Sequence, residues 1–315
     1  MEARRFAYGP VPSRRLGLSL GVDLIPFKVC CYDCIYCQLG PTRRLSVERE
    51  EFAPVSAVVE GVRQALEAGP TPDVITLAGS GEPTLYAPLG ELISALKNLT
   101  SIPIALLTNG ALFGERGVRT DAALSDLVLP SLDAGEEGLF RLVNRPHESL
   151  TLDGVLAGLE SFRDEYAGPI WLEIMMVAGI QDRDPHLRYL AKKAERLRPD
   201  RIHLNTPARP SPLGPSAVIP GESLLQLCAR FSPRAEAIQD FRGNPGEGAL
   251  SSDEVQKRLF DLLSRRPCTV EDASIGLAVS PNVVAKAMSA LEASGRVRRE
   301  RQGDRLFFTS LGKRG

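Results

Sequence analysis

Three cysteines near the N-terminus have a spacing that suits a soft metal. Cys30, Cys34 and Cys37 form a C-x3-C-x2-C set directly after a predicted strand. Thiolates bind zinc and iron–sulfur clusters, and three of them leave one iron of a [4Fe–4S] cluster open for chemistry. A structural zinc site needs a fourth ligand; Cys31 could supply it, but two adjacent cysteines share a tetrahedral shell poorly. The set therefore favours an iron–sulfur cluster with an open iron over zinc.

The remaining cysteines, Cys31, Cys228 and Cys268, are too few and too scattered for a second cluster. We expect each of them to be a small, buried apolar residue. Four of the six cysteines fall between residues 30 and 37, which is unlike the spread of cysteines in a disulfide-linked secreted domain. Such a local group is typical of a metal or redox site in a cytosolic protein.

Polar and glycine-containing elements follow the next predicted strands. They are Gly79-Ser80-Gly81-Glu82-Pro83-Thr84, Thr108-Asn109-Gly110 and Ser131-Leu132-Asp133. Because ligands of parallel α/β sheets bind outside the carboxyl ends of the strands, we expect these elements to face the cysteine loop. The glycines would let the backbone approach a ligand closely. Taken singly, each element is equally well explained as an ordinary turn between a strand and a helix.

Short apolar, β-branched runs alternate with amphipathic stretches at intervals of roughly 30 residues, which predicts an α/β fold with a parallel sheet. The predicted strands are Leu18–Leu24, Val74–Ala78, Ile104–Thr108, Leu127–Ser131, Trp171–Val177 and Arg201–Leu204. The predicted helices between them are Val55–Glu67, Leu89–Leu99, Arg119–Ala123, Gly135–Leu142, Leu152–Tyr166 and Pro185–Leu197. This length suits a (β/α)6 unit rather than an eight-stranded barrel.

Composition narrows the setting of this chemistry. The chain has 315 residues and a net charge of −1, so no overall field favours nucleic acid or membrane. The apolar runs fall far short of the ~20 residues of a membrane span. The N-terminus has no apolar segment typical of a signal peptide. We therefore expect a cytoplasmic protein without a membrane partner.

The cysteine set and its neighbours resemble the signature of the radical S-adenosylmethionine (radical SAM) superfamily. The C-x3-C-x-aromatic-C pattern of that family is present in Cys30, Cys34, Tyr36 and Cys37. The run Gly79–Thr84 is similar to the family's Gly-Gly-Glu element, with Ser80 in place of a glycine. The resemblance covers about residues 7–245 and implies a partial (β/α)6 TIM-like barrel over residues 1–245.

The resemblance also implies cofactors and a reaction. The three cysteines would hold a [4Fe–4S] cluster whose fourth iron binds the amino and carboxylate groups of SAM. Reductive cleavage of SAM would then give a 5′-deoxyadenosyl radical that takes a hydrogen atom from the substrate, with an electron donor such as a flavodoxin or ferredoxin. The residues implied at the cofactors are Tyr36, Gly79, Ser80, Gly81, Glu82, Asn109, Ser131, Asp133 and Glu173.

The N-terminal run from Tyr8 to Asp23 resembles a bacterial and archaeal iron–sulfur oxidoreductase branch of the superfamily, near the wybutosine-synthase-type tRNA-modifying enzymes. This resemblance makes tRNA or another macromolecule the leading substrate. Arginines on predicted loops could line the substrate mouth or pair with the carboxylate of SAM. They are Arg14, Arg15, Arg145 and Arg209. Surface or structural ion pairs explain them equally well.

The C-terminal residues 250–315 differ in character from the rest. A predicted linker, Phe241–Gly248, precedes three predicted helices, which begin near Ser252, Thr269 and Ser280, and a hairpin. This order predicts a winged-helix domain. Residues 251–315 carry a net charge of +4, with arginines concentrated in the hairpin, and could contact RNA phosphates. The third helix has one cation and is a poor reader of DNA bases, so packing against the catalytic domain is an equal alternative.

Two other functions remain open at this point. A radical SAM enzyme could act on a small molecule or activate a protein instead of modifying RNA. A different class of protein, an iron–sulfur sensor that regulates DNA binding through the winged helix, would need no SAM site. The elements Gly79–Thr84 and Ser131–Asp133 favour the enzyme.

Overall fold

The computed structural model describes residues 6–238 and 251–311. Its strands are β1 Ala7–Ser13, β2 Gly17–Val22, β3 Val29–Cys30, β4 Arg44–Leu45, β5 Val74–Leu77, β6 Ile104–Thr108, β7 Leu127–Pro130, β8 Trp171–Met175, β9 Arg201–Asn205, β10 Glu236–Ala237, β11 Val297–Gln302 and β12 Arg305–Ser310. Its helices are α1 Val55–Ala68, α2 Leu89–Leu99, α3 Arg116–Ala122, α4 Glu137–Val143, α5 Leu152–Glu165, α6 His186–Arg196, α7 Gly221–Cys228, α8 Ser252–Arg265, α9 Val270–Leu277 and α10 Pro281–Ala293. Short 3-10 turns occur at Pro83–Leu85 and Pro215–Ala217.

Six parallel strands form the larger part of the fold. One sheet has the order β1-β2-β5-β6-β7 and a second has the order β10-β9-β8. Parallel bridges Val128↔Ile170 and Ser131↔Glu173 join β7 to β8, so β2, β5, β6, β7, β8 and β9 follow one another in one curved surface. This confirms the predicted α/β fold with a partial (β/α)6 barrel.

Helices cover the outer face of this surface, and the strands are therefore buried on both sides. All four residues of β5 are buried, as expected for a parallel strand between two apolar layers. The helix α1 buries Val58 and Val62, four residues apart, while the opposite side of the helix faces solvent. The main core lies between the strands and these helices.

The sequence prediction missed β1, which pairs antiparallel with β2. Its Gly-Pro-Val-Pro sequence obscured it, because proline cannot donate to a sheet and occurs mainly in edge strands. The strand β1 is such an edge. The predicted bounds of β6 and α2 are confirmed. The other elements whose bounds were predicted differ from the structure by one to three residues at an end.

The C-terminal residues 251–311 pack on the edge strand β1. Their three helices and the hairpin β11–β12 are present as predicted, with a capping box at Thr269 and an N-cap at Ser280. Val11 of β1 belongs to the same apolar cluster as Val255, Leu259 and Met288. The assignment of these elements as a winged helix, and of residues 1–245 and 250–315 as separate domains, stays a prediction. The predicted linker Phe241–Gly248 lies outside the described residues.

We also compared the helices with the dimensions of a membrane. None of the described helices is by itself long and apolar enough to cross one. Helices α9 and α10 taken together are long and apolar enough, but the two helices are bent by 115° relative to each other.

Candidate active site

The cysteine loop follows the carboxyl end of β2, where the sequence analysis expected it. Cys30, Cys34 and Cys37 are all half-buried. Two backbone hydrogen bonds fasten the loop to the end of α4, from Asp33 N to Asn144 O (3.0 Å) and from Ile35 N to Val143 O (2.9 Å). A third, from Cys37 N to Cys34 O (3.1 Å), closes a turn between two of the cysteines. The cysteines are thus held in a defined loop at the mouth of the barrel.

Each of the three thiols has its own nitrogen donor. Lys28 Nζ lies 3.2 Å from Cys37 Sγ, Asn109 Nδ2 lies 3.6 Å from Cys30 Sγ, and Asn144 Nδ2 lies 3.6 Å from Cys34 Sγ. Hydrogen bonds to sulfur ligands orient them and tune a cluster's potential. The sequence analysis missed Lys28 and Asn144, since neither stands in a motif. Lys28 is buried and has a positive φ of 60°.

Burial is the main influence on the pKa of the Cys30 and Cys34 thiols. Burial, helped by the neighbouring Glu82 carboxylate, raises the pKa of Cys30 to about 12. Burial also raises the pKa of Cys34 well above its usual value, with the Asp133 carboxylate acting in the same direction. The Cys30 and Cys34 thiols therefore keep their protons in the absence of metal, and metal binding must release them.

The donor set fits a cluster better than a single ion. No group of three His, Cys, Asp or Glu side chains within residues 6–238 or 251–311 is arranged to hold one metal ion, which disfavours structural zinc. A four-iron cluster instead takes one thiolate per iron, so its ligands stand further apart. The three half-buried thiols, each with its own N–H partner, suit such a cluster.

The loop after β5 is fixed by Asp23. The Asp23 carboxylate accepts hydrogen bonds from Ser80 N (2.9 Å) and Ser80 Oγ (2.6 Å), and Ser80 O accepts one from Lys28 N (2.8 Å). A side chain at Gly79 would clash with the Asp23 carboxylate, and one at Gly81 would clash with Val29 O. The glycines thus allow close approach to protein atoms, and the approach of this backbone to a ligand stays a prediction.

Glu82 connects this loop to the end of β6. Its buried carboxylate accepts hydrogen bonds from Thr84 N (3.1 Å), Thr84 Oγ1 (2.7 Å), Thr108 Oγ1 (2.5 Å) and Asn109 N (2.8 Å). Burial raises its pKa, although these four donors oppose the shift. Because its oxygens are occupied by protein donors, Glu82 positions Asn109, whose side chain reaches Cys30.

Asp133 is occupied in the same way. Oδ2 accepts hydrogen bonds from Tyr36 Oη (2.5 Å) and Asn144 Nδ2 (2.7 Å), and Oδ1 accepts one from Met175 N (2.8 Å). Burial raises the pKa of Asp133, again against its hydrogen bonds. The carboxylate therefore ties the aromatic residue of the cysteine motif to Asn144 and to the end of β8.

Ser131 and Glu173 lie on adjacent strand ends, joined by a backbone bridge. Glu173 forms an ion pair with Arg15 and accepts a hydrogen bond from Asn205 Nδ2 (2.9 Å). Burial alone would raise the pKa of Glu173, but the charge of Arg15 and these bonds lower it. Ser131 is half-buried, and its hydroxyl forms no hydrogen bond with any residue that the structure describes.

These elements border a cavity of about 340 Å³ that opens to solvent. Tyr36, Cys37 and Gly79 line it near the cysteine loop, and Glu173 and Met175 line it from β8. Of the predicted loop arginines, Arg14, Arg15 and Arg209 reach the cavity, whereas Arg145 lies outside it, 3.8 Å from Asp33. The three remaining cysteines are buried, as expected from the sequence, and His203 is buried as well.

Comparison with known proteins places this geometry in a family. The sequence matches the Radical SAM superfamily over residues 24–190. It is 33% identical over 294 residues to a GTPase Obg protein of Brachyspira hyodysenteriae, covering 93% of this chain and 43% of the relative. It is 39% identical over 275 residues to a UPF0026 protein of Methanocaldococcus jannaschii, covering 84% of each. A radical SAM methyltransferase from Sphaerobacter thermophilus is similar in structure, with a TM-score of 0.53, 21% identity, and coverage of 70% of this chain and 65% of that chain.

These matches differ in what they support. The chain spans less than half of the Brachyspira relative, and it contains no G-x-x-x-x-G-K-S/T motif for binding nucleotide phosphates. The GTPase name therefore stays with that relative. The likeness to the methyltransferase concerns the fold, since fold alone does not determine the reaction.

The family match spans the cysteine loop and every strand-end element described above, from Cys30 to Glu173. Members of that family use a [4Fe–4S] cluster and SAM, and the three half-buried thiols suit such a cluster. The chain is therefore an enzyme that belongs to the radical SAM superfamily.

Proposed function

We propose that Cys30, Cys34 and Cys37 hold the [4Fe–4S] cluster of this enzyme and that the ends of β5 to β8 hold SAM. One observation carries the proposal: each thiol in the loop has a separate N–H donor at 3.2 to 3.6 Å. Such donors stabilise the negative charge of metal-bound thiolates. Held by these cysteines and reduced, the cluster would supply the electron for reductive cleavage of SAM, which is the source of radical chemistry on a substrate.

The protein residues then bind and orient SAM, and they exclude water from it. The backbone of Gly79, Ser80 and Gly81 offers polar groups beside the cysteine loop, and the Asp23 carboxylate fixes their position. Glu82 positions Asn109, and Asp133 positions Tyr36, because protein donors occupy both carboxylates. We assign direct contact with SAM to these backbone groups, the Ser131 hydroxyl and the region of Glu173 that borders the cavity.

The ligand assignment is tested by iron and sulfide content after anaerobic reconstitution. Cys34→Ala should lose the cluster, seen as loss of its absorption and electron paramagnetic resonance signals. Cys228→Ala is the matched control, because that buried cysteine lies far from the loop in sequence and donates to Leu224 O at 3.3 Å; it should load normally. A Cys34→Ala protein that retains full iron content would overturn the assignment.

RNA as the substrate is a separate prediction that rests on the basic hairpin. Arg298 lies 3.4 Å from Glu300, and Arg299 lies 3.1 Å from Glu292. Exposed pairs of this kind are weak and leave the arginines able to bind phosphate. The cavity beside Cys37 is nevertheless the better candidate for the place of reaction, since it lies next to the proposed cluster ligands.

The electron must come from another protein or a small reductant. We propose a low-potential donor such as a flavodoxin or ferredoxin, because cleavage of SAM consumes one electron that this chain does not itself generate. A reducing cytoplasm would suit three thiols that have to remain available for iron. Anaerobic turnover with purified flavodoxin in place of dithionite tests this choice of donor.

A further inference from the structure

Arginines from distant parts of the chain line the cavity of about 340 Å³ described above. The five that line it are Arg14, Arg15, Arg209, Arg265 and Arg266. Two of them have buried carboxylate partners, Arg15 with Glu173 and Arg265 with Asp23. Within residues 6–238 and 251–311, no carboxylate lies within 4.0 Å of the guanidinium of Arg209 or of Arg266. Neither guanidinium has a carboxylate at ion-pairing distance, although the charge of Asp272 acts on both from further away.

Arg266 is the most unusual of these side chains. Its Nε and Nη2 atoms are buried and have no hydrogen-bond partner among the described residues. A guanidinium carries five N–H donors in a rigid fork, and leaving buried donors unpaired is costly. Proteins seldom retain such a group unless another molecule satisfies it.

Arg209 is electrostatically strained beside it. Burial lowers the pKa of Arg209, and the charges of Arg266 and Arg14 lower it further. The nearest acid, Asp272, is shared with Arg305 at 3.5 Å and with the backbone N of Thr269. Repulsion between two desolvated guanidinium groups is relieved by an anion placed between them.

The segment that carries Arg209 is held in place by the C-terminal hairpin. Gln302 Nε2 donates a hydrogen bond to Pro207 O at 3.1 Å, and Gln302 is buried. Arg266 follows directly after α8. The two arginines therefore meet only when the C-terminal residues pack on the barrel, which makes that packing part of the site.

The origin of these residues indicates which ligand they bind. SAM is common to the superfamily, and the family match covers residues 24–190. Arg14, Arg209 and Arg266 all lie outside that range. Residues outside the shared region are suited to recognise what differs between members, which is the substrate.

We propose that Arg209 and Arg266 bind an anionic group, either a phosphate or a carboxylate. This group belongs to a small-molecule substrate that occupies the cavity beside the cluster. This inference rests on the proposed function and gives the C-terminal segment a role in substrate recognition. A cavity of about 340 Å³ lies within the range of small-molecule sites. Planar guanidinium groups bind the oxygens of either anion through paired hydrogen bonds.

The test measures binding of inorganic phosphate and of malonate to the reconstituted protein, by calorimetry and thermal unfolding in chloride-matched buffer. Phosphate or malonate should raise the Tm of the wild type, and the stronger of the two identifies the anionic group. Arg209→Met and Arg266→Met should each weaken binding about tenfold or more, as expected for loss of a charge-assisted bond. Arg266→Lys, which keeps the charge but loses the fork, should lie between wild type and Arg266→Met. Arg230→Met is the control, since Arg230 is exposed and pairs with Asp184.

A second readout separates ligand binding from a structural role. Without added anion, Arg266→Met should raise the Tm, because it removes two buried N–H groups that have no hydrogen-bond partner among the described residues. A lowered Tm in that variant, or no response of the wild type to either anion, would overturn the proposal. So would RNA binding that depends on Arg266 while phosphate and malonate have no effect.

Competition with SAM decides between the two anionic ligands. Saturating SAM should leave the affinity for phosphate unchanged. If SAM displaced phosphate and Arg266→Met weakened SAM itself, the arginines would hold the cofactor's carboxylate and the inference would fail. Because anion binding is measured without turnover, failure here is distinct from failure of the cluster assignment, which iron content reports.

Discussion

The guanidinium of Arg265 lies 3.5 Å from the carboxylate of Asp23, and both side chains are buried. Asp23 also holds Ser80 through two hydrogen bonds. Arg265 comes from the last turn of α8, so this ion pair links the C-terminal segment to the loop that we assign to SAM. The same arginine lies over the ring of Tyr8 in β1, at 5.0 Å from its centroid.

Breaking this ion pair should destabilise the whole protein. Arg265→Met leaves the Asp23 carboxylate buried without that partner, and loss of one member of a buried pair costs roughly 3–5 kcal/mol. Urea unfolding measures the change. Lys257→Met, an exposed position on the same helix, should change stability by less than about 0.5 kcal/mol. Equal unfolding midpoints for Arg265→Met and Lys257→Met would show that the ion pair contributes nothing.

Removing the charge of Lys28 should make the cluster harder to reduce. Lys28 Nζ lies 3.2 Å from Cys37 Sγ, and a nearby cation stabilises the more negative, reduced state. We expect Lys28→Met to lower the midpoint potential on the order of 60 mV, about a tenfold change for one electron. Lys28→Arg should stay near the wild type in an anaerobic redox titration. An unchanged potential in Lys28→Met would rule out electrostatic tuning by this lysine.

Glu82→Gln should weaken SAM binding while the cluster remains. The amide nitrogen that replaces one carboxylate oxygen would face a donor, Thr108 Oγ1 or Asn109 N. Loss of a charge-assisted bond here should loosen the loop that contains Gly79–Gly81, whose backbone we assign to SAM, and so reduce the affinity for SAM about tenfold. Equilibrium binding under anaerobic conditions measures this, with iron content as the check on the cluster. Glu91→Gln on the exposed face of α2 is the control, and equal affinities in both variants would contradict the role given to Glu82.

Acid should destabilise the protein partly through His203. Burial and the charge of Arg15 lower its pKa, so the folded state favours neutral imidazole, whose Nδ1 is buried without a partner. The unfolded chain then binds a proton at higher pH than the folded one, and stability falls as the pH drops below about 6.5. His203→Gln should lose less stability than wild type between about pH 7.5 and 5.5, whereas His147→Gln should behave as wild type. Parallel losses in all three proteins would exclude His203 as a contributor.

The chemistry-bearing residues were accessible from sequence because their signal is local. The cysteines, Tyr36 and the polar strand ends stand within a few residues of one another or follow strands of regular pattern. Parallel strands with covered faces also leave a clear apolar pattern, so β6 and α2 could be bounded in advance.

The residues that complete the site depend on folding. Asn144 stands 110 residues from the cysteine whose sulfur it contacts, and nothing in its neighbourhood marks it. Lys28 is an ordinary lysine until a positive φ turns it towards Cys37. The meeting of Arg209 with Arg266 requires the C-terminal segment to pack on β1, a strand that its prolines concealed. Contacts of this kind, between residues far apart in the chain, leave no periodic pattern in the sequence.

The most direct measurement is formation of 5′-deoxyadenosine from SAM by the reconstituted protein with dithionite under anaerobic conditions. We expect this product from the wild type and the Cys228→Ala control, and its loss in each of Cys30→Ala, Cys34→Ala and Cys37→Ala. Equal product from any of these three variants, or none from a fully loaded wild type, would contradict the claim that this loop holds a SAM-cleaving cluster.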